Sequence, residues 1–254
     1  MIQNIIKGVK AYFGAFGMIS KLRLWKYFII PMFISMLTAT FVGFMAYTFS
    51  DNIGHYVANF WKWEFGKEAF EVISTFISGL LIVVIGLVLY KHIVMALSAP
   101  FMSPVSEKIE DHLRGEDHLR GEDHTHRITS FQEQLIRGIR INLRNLTREL
   151  LFTIPILLLG FIPVIGIIST ILLFLMQAYY AGFGNMDYTL ERHFKYRESI
   201  SFVKENKGLA IGNGIVFMLF LLIPILGVIL VLPLSVTAAT TETIKKIQLK
   251  KLPK

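Results

Sequence analysis

Cysteine is absent from the 254-residue chain, and charged residues are scarce. The first absence excludes disulfides, thiolate metal sites and cysteine nucleophiles. Only 17% of the residues are charged and 54% are hydrophobic, with the charges grouped between long apolar blocks. Because a soluble domain of this length usually contains fewer apolar residues, the pattern predicts an all-α integral membrane protein.

Enzyme motifs are also missing from the sequence. It contains no glycine-rich loop ending in Gly-Lys-Ser/Thr, no dinucleotide fingerprint and no His-Glu-x-x-His. We therefore expect a protein that is not an enzyme and that holds no cofactor. The formal charge of +8 is explained by basic loops that face anionic lipid headgroups, so no nucleic-acid partner is expected.

Two apolar blocks are long enough to cross a bilayer without a break. Residues 27–49 contain no charge and reach ~34 Å, which exceeds the ~30 Å hydrocarbon core. This block is expected to remain as an anchor and not to be cleaved as a signal peptide. Residues 72–97 form a second span of similar reach. Lys91 lies near one end of it and is expected to snorkel to the cytoplasmic edge.

Two further apolar blocks, 150–181 and 209–240, are interrupted by proline and glycine. Each contains a similar phrase, Ile-Pro-Val-Ile-Gly at 162–166 and Ile-Pro-Ile-Leu-Gly at 223–227. Proline cannot continue a helix and glycine permits a tight reversal, so each phrase predicts a turn. The arms before the turns reach only ~20 Å, which predicts hemi-penetrating helical hairpins. A kinked single span in each block is the alternative.

The distribution of basic residues favours the hairpins. Of the 26 Lys and Arg residues, only two lie in 50–71, whereas at least five lie in each of the other segments outside the apolar blocks. By the positive-inside rule, the amino terminus is cytoplasmic and 50–71 is external. Single crossings would place the five basic residues of 182–208 outside, whereas hairpins keep them inside.

Two amphipathic segments are expected to form helices at the membrane surface. Residues 2–19 place apolar side chains at helical spacing, with lysines elsewhere on the wheel. Residues 131–149 combine an apolar stripe with a ladder of arginines. We expect this ladder to be solvated and to face lipid phosphates; attraction of anions to a pore mouth is the alternative. The ladder consists of Arg137, Arg140, Arg144 and Arg148.

The segment 98–130 is expected to be a cytoplasmic loop, and within it residues 110–126 repeat the phrase Glu-Asp-His-Leu-Arg-Gly. A six-residue step turns ~600° on a helix, so the repeated histidines leave a common face. We therefore predict no metal site, and a duplication in an exposed loop explains the repeat better. The histidines are His112, His118, His124 and His126.

Several short phrases occur in an order that resembles one known family. Residues 99–110 resemble its A-P-F…E-x-[VI]-E phrase, and residues 233–240 resemble its P-x-x-V-x-x-A-T ending. Between them lie Arg148-Glu149-Leu150, Met186-Asp187-Tyr188 with His193 beyond it, and a G-F-G-like phrase in which Asn213 replaces the phenylalanine. The ordered set runs from about residue 20 to 245. It is similar to the CysZ sulfate-permease family, which includes the etoposide-induced membrane proteins.

This resemblance implies a fold of two long transmembrane helices plus two hemi-penetrating hairpins, forming a single membrane domain over 1–254. It also implies a homo-oligomer, a dimer or higher, in the bacterial inner membrane, in contact with membrane lipids. The implied function is sulfate uptake for cysteine synthesis, with sulfate or a similar small anion as the partner. The alternative is a non-transporting scaffold or bilayer-shaping protein of the same family.

In sulfate-transporting members of that family, a G-[LI]-R motif before the first span holds the anion. Its three positions fall here on Arg23, Leu24 and Trp25, so only the aliphatic residue is kept. Arg23 and Lys26, with Lys21 nearby, are the candidate anion-binding residues. Ordinary positive anchors of the span are the alternative interpretation.

Two acidic residues are candidates for structural or gating roles. Asp187 follows an apolar arm, and a carboxylate buried at such depth needs a partner. A structural bond to nearby backbone or to a basic residue is expected in preference to ion conduction. Glu107 is expected, by the same reasoning, to pair with an arginine near the Ala-Pro-Phe turn.

Overall fold

The computed structural model describes residues 1–58, 67–115, 129–160, 165–223 and 226–251. Within these ranges the chain is helical apart from short connections. The helices are α1 (Ile2–Lys21), a short 3₁₀ helix (Leu24–Phe28), α2 (Ile29–Ala58), α3 (Lys67–Leu97), α4 (Ala99–Gly115), α5 (Phe131–Leu159), α6 (Ile165–His193), α7 (Tyr196–Glu205), α8 (Lys207–Leu221) and α9 (Leu226–Lys251).

Two helical stretches, Leu24–Phe49 and Ile165–His193, are long and apolar enough to cross a membrane. A third candidate is a bent pair, in which Val88–Leu97 and Ala99–Gly115 meet at 67°. Pro100 lies in the first turn of the second helix, where its missing N–H is tolerated. The predicted fold class, an all-α integral membrane protein, is confirmed.

Both proline-broken blocks fold as pairs of packed helices. α5 packs along α6, and α8 packs along α9. The centres of the two turn phrases, 161–164 and 224–225, lie outside the described residues. At the second turn the amide of Gly227 donates to the carbonyl of Ile223 at 2.9 Å. Since α8 has 15 residues, it reaches ~22 Å, less than the ~30 Å core.

The centre of the bundle depends on close approach between α8 and its neighbours. A Cβ placed on Gly214 would overlap the carbonyl oxygen of Ala178 in α6, and one on Gly182 would overlap that of Ala210 in α8. The two pairs show that α6 and α8 run antiparallel. Small residues are what allow helices in membranes to approach so closely.

The structure differs from the expected boundaries of the arginine ladder. The predicted amphipathic helix 131–149 and the first arm of the 150–181 hairpin form one continuous helix, α5. No glycine or proline lies between Gly138 and Pro155, so nothing in the sequence ends the helix at residue 149. Its amino end carries a capping box, in which Ser130 and Glu133 bond each other's backbone amides.

The segment 98–130 is not entirely a loop, because its first half forms α4. The first copy of the repeat, 110–115, ends this helix, and Glu110 within it is only 1% exposed. The prediction of an exposed loop is therefore wrong for this copy. The remaining copies, in 116–126, lie outside the described residues.

Candidate functional site: a cationic turn and buried ion pairs

The junction between α1 and α2 is a tight turn that carries three exposed cations. Lys21 ends α1, and Arg23 adopts the left-handed conformation, with φ 52° and ψ 42°. Within the part of the chain that the structure describes, Arg23 is the one non-glycine residue with positive φ. Lys26 follows in the short 3₁₀ helix. We refer to residues 21–26 as the cationic turn.

The backbone of Arg23 fits its position in the G-[LI]-R alignment, where the family has glycine. Left-handed backbone costs a residue with a Cβ ~1–2 kcal/mol, whereas glycine adopts it freely. The backbone of Arg23 therefore has the conformation that glycine favours. In contrast to the glycine of the motif, Arg23 adds a guanidinium group at this position.

The turn is anchored to the core by its apolar residues. Leu24 is 1% exposed and Phe28 is 5% exposed, and the 3₁₀ helix contacts α4 and α9. Trp25 packs between the rings of Phe16 and Phe28, at centroid distances of 5.2 and 5.1 Å. Leu24 and Phe28 point inward, whereas the cations of this turn are exposed. The exposed ones are Lys21, Arg23 and Lys26.

A buried ionic network joins α4 to α6. Glu110 pairs with Arg192 at 2.8 Å, with Arg114 at 2.5 Å and with the Nε2 atom of His193 at 2.7 Å. Arg192 also donates to the hydroxyl of Ser106, which connects the ion pairs to a buried polar side chain of α4. The carboxylate of Glu110 is therefore in contact with two guanidinium groups and one imidazole. Glu107, the predicted acid of this helix, is half-buried one turn earlier.

A second ionic cluster joins α3 to α5. Lys91 lies 2.6 Å from one oxygen of Glu149, and the Nε2 atom of His92 lies 2.9 Å from the other. Lys91 and Glu149 are both fully buried. The expectation that Lys91 snorkels to the cytoplasmic edge is therefore wrong, because its ammonium is held inside by a carboxylate from another helix. The signal available in the sequence was Glu149, an acid directly after the arginines of α5.

Asp187 is 5% exposed and accepts two hydrogen bonds from Arg137, at 3.0 and 2.8 Å. Arg137 also donates to the backbone carbonyl of Phe194 and to the hydroxyl of Ser199. Burial opposes the charged form of Arg137, but the carboxylate of Asp187 outweighs it and raises the pKa of Arg137 above its ordinary value. Arg137 is thus a structural ion-pair partner.

The other arginines of α5 also contact protein groups. Arg140 lies over the ring of Tyr196 at 4.1 Å, and Arg144 lies over that of Phe183 at 5.0 Å. The expected solvated ladder is therefore wrong for Arg137 and Arg144, which are partly buried, whereas Arg140 and Arg148 are exposed. The apolar stripe of the helix is instead exposed, at Leu143 and Phe131 for example.

Asn213, which replaces the phenylalanine of the G-F-G phrase, lies in a buried polar chain. Its side chain accepts a bond from Asn185 at 2.8 Å and donates to the carbonyl of Ser235 at 2.9 Å. The hydroxyl of Tyr12 donates to the backbone carbonyl of Asn213. The side-chain amide of Asn213 therefore ties α8 to α6 and α9, and the backbone carbonyl of the same residue ties α8 to α1.

No cluster of metal-ligating side chains occurs within the described ranges. Three of the four repeat histidines lie outside those ranges. A cavity of about 260 Å³ opens beside the Asp187 pair, and its charged lining is of mixed sign. Since Glu133 and Glu191 line it with Arg137, Arg140 and Lys195, the cavity is a poorer match to a small anion than the cationic turn.

Comparison with known proteins agrees with the ordered phrases. The family described as "Sulfate transporter CysZ/Etoposide-induced protein 2.4" matches residues 11–232. The chain is 25% identical over 214 residues to the sulfate transporter CysZ of Pseudomonas paraeruginosa, covering 84% of each chain. It is 26% identical over 163 residues to that of Vibrio cholerae serotype O1, covering 62% of this chain and 61% of the relative. The protein belongs to the sulfate transporter CysZ/etoposide-induced protein 2.4 family.

Proposed function

We propose that this protein is a membrane permease or channel for sulfate or a related oxyanion, which supplies sulfur assimilation and cysteine synthesis. Its family and the names of its bacterial relatives support a small anionic substrate. The observation that carries the proposal is the cationic turn before the first spanning helix. Arg23, which has a left-handed backbone, is one of its three exposed cations.

Lys21, Arg23 and Lys26 bind the anion in this proposal. Clustered positive charge raises the local concentration of a small anion at the protein surface. The guanidinium of Arg23 offers several donors in one plane, which suits the oxygen atoms of sulfate. Leu24 and Phe28 keep the turn in place, so the three cations need not be ordered anew by each anion.

The proposed location is the bacterial inner membrane, with several membrane passes and a cytoplasmic amino terminus. The ion pair between Arg137 and Asp187 joins the basic amino end of α5 to the carboxyl end of α6. This contact supports a location of both helix ends on the same side of the membrane. Exposed Arg148 lies 11 residues before the end of α5, so the helix end at Leu159 is ~17 Å from an exposed charge, about half of the ~30 Å hydrocarbon core.

We also propose that the protein assembles as a homo-oligomer, a dimer or higher. The spanning helix α2 exposes large apolar side chains on its outer face, including Leu37 at 67% and Phe41 at 60%. Lipid or a second copy of the chain covers such a face in a membrane. Light scattering of the detergent-solubilised protein, corrected for bound detergent, measures the number of copies.

The decisive experiment measures radioactive sulfate uptake by proteoliposomes that contain the purified protein. We expect uptake above that of empty vesicles and competition by related oxyanions. The variant Arg23→Gln with Lys26→Gln should lose uptake roughly tenfold, or ~1.4 kcal/mol, since it removes two of the three cations of the turn. The matched control is Lys7→Gln with Lys10→Gln, which removes two exposed charges from α1.

Two results contradict the proposal in different ways. Absence of uptake by folded wild-type protein favours the non-transporting scaffold. Equal losses in the two double variants indicate a general effect of surface charge and remove the cationic turn as the anion-binding site.

A further inference from the structure

A groove of about 450 Å³ runs between α5, α6 and α8 on the surface of the bundle. Most of its lining is apolar, but one end carries two tyrosines and a lysine. The apolar side chains are Phe152, Ile156, Leu172, Leu175, Met176 and Ile211, and the polar end is formed by Tyr179, Tyr180 and Lys207, with Met1 beside them.

The groove has a direction that the register of the helices defines. Along α6, Leu172 lies nearer the turn of the hairpin than Tyr180, and the distance between them is ~12 Å. Lys207 begins α8, which runs antiparallel to α6, so it lies at the tyrosine end. The groove therefore changes from apolar near the hairpin turn to polar near the basic ends of the helices.

The face of α5 along the groove shows the same gradient. Arg144, Arg148, Phe152 and Ile156 are spaced by four residues, so they form one row on the helix. The two arginines precede the two apolar residues that line the groove, and both lie within electrostatic range of Tyr179 and Tyr180. The polar end of the groove is therefore bordered by three cations, Arg144, Arg148 and Lys207.

The ligand that matches this arrangement is an amphipathic molecule with a long apolar tail and an anionic head. We propose that the groove binds an anionic phospholipid, whose acyl chain lies between α5 and α6 and whose phosphate lies between Arg148 and Lys207. The two phenol hydroxyls at this end are suitable donors to phosphate oxygens. A second copy of the chain is a poorer occupant, because it would bury the exposed charges of Arg148 and Lys207.

The test measures lipid binding to the full-length protein by native mass spectrometry in detergent. The probes are dioleoyl phosphatidylglycerol and dioleoyl phosphatidylcholine, which share their tails and differ in net charge. We expect preferential retention of phosphatidylglycerol and a roughly tenfold or greater loss of that preference in Arg148→Gln with Lys207→Gln, since basic residues attract an anionic headgroup. The control is Arg197→Gln with Lys204→Gln, two exposed cations of α7, which should leave the preference unchanged.

A second variant tests the tail end of the groove. Met176→Trp fills the apolar part without changing charge, and we expect it to lower binding of both lipids while helical content by circular dichroism stays constant. Equal retention of the two lipids by wild type, or an unchanged preference in Arg148→Gln with Lys207→Gln, overturns the proposal. A dimer that Met176→Trp dissociates overturns it as well, because a second copy then occupies the groove. Sulfate uptake does not enter these readouts, so the proposal stands or falls separately from the transport function.

Discussion

The interior of the bundle and the cationic turn use the same kinds of charged residue in opposite ways. Inside, Lys91 and Arg192 are paired with Glu149 and Glu110 from other helices, and all four side chains are nearly inaccessible. At the turn, Arg23 and Lys26 are exposed, and the ammonium of Lys26 lies 5.4 Å from the ring centroid of Tyr27.

This difference separates charges that hold the fold from charges that are available to a ligand. An unpaired charge in an apolar interior is very unfavourable, so a buried carboxylate and its cation must be kept together. The protein loses little folding stability when a surface cation is neutralised. Substitutions inside should therefore reduce folding, and substitutions at the turn should reduce anion binding in a protein that still folds.

The largest expected effect follows from Glu149→Gln. It leaves Lys91 buried without its carboxylate, and we expect a loss of ~3–5 kcal/mol in the free energy of unfolding, or failure to accumulate folded protein. Thermal unfolding in detergent, followed by fluorescence-detected size exclusion, measures the loss. A small effect, comparable to that of a surface pair, would show that Lys91 reaches solvent.

Two further variants serve as a rescue and a control for this prediction. Lys91→Met combined with Glu149→Gln should regain most of the stability, because no charge then remains unpaired and glutamine can still bond His92. Lys245→Gln removes a surface pair with Glu242, in which the lysine side chain is 56% exposed, and should cost less than ~1 kcal/mol.

An intermediate effect is expected from Asp187→Asn. Arg137 is 14% exposed at its side chain, so water partly compensates the loss of the carboxylate. Two charge-assisted hydrogen bonds weaken, and we expect a loss of ~2 kcal/mol in the free energy of unfolding, smaller than for Glu149→Gln. Thermal unfolding under the same conditions ranks the two variants. A loss larger than that of Glu149→Gln would contradict the ranking by burial.

The overall fold was predictable because it depends on patterns that extend over many residues. Long apolar blocks define membrane helices, and the repeated proline–glycine phrases mark where 150–181 and 209–240 reverse. The loop assigned to 98–130 was wrong in its first half because α4 has little net hydrophobicity. Its buried face mixes apolar side chains such as Ile109 with the polar Ser106 and Glu110, and a segment with so many polar residues is easily taken for a solvated one.

Side-chain partners were less predictable, because periodicity within one helix does not show which residue of another helix lies opposite. Lys91 and Glu149 are 58 residues apart, and the sequence gives no direct sign of their contact. The positions of Lys21, Arg23 and Lys26 in the cationic turn followed from the motif alignment, but the left-handed backbone of Arg23 did not, since that alignment describes residue types and not dihedral angles.

A small expected change in stability, and the sharpest separation of fold from function, comes from comparing Arg23→Gly with Arg23→Ala. Both remove the guanidinium, but glycine adopts the left-handed backbone without strain and alanine does not. We expect the free energy of unfolding of Arg23→Gly to exceed that of Arg23→Ala by ~1 kcal/mol, so that Arg23→Gly unfolds at a slightly higher temperature. Sulfate uptake by proteoliposomes should fall equally in the two variants if the guanidinium binds the anion. If uptake is instead retained in Arg23→Gly and lost in Arg23→Ala, the backbone of the turn is what transport requires, and the anion is bound by other groups.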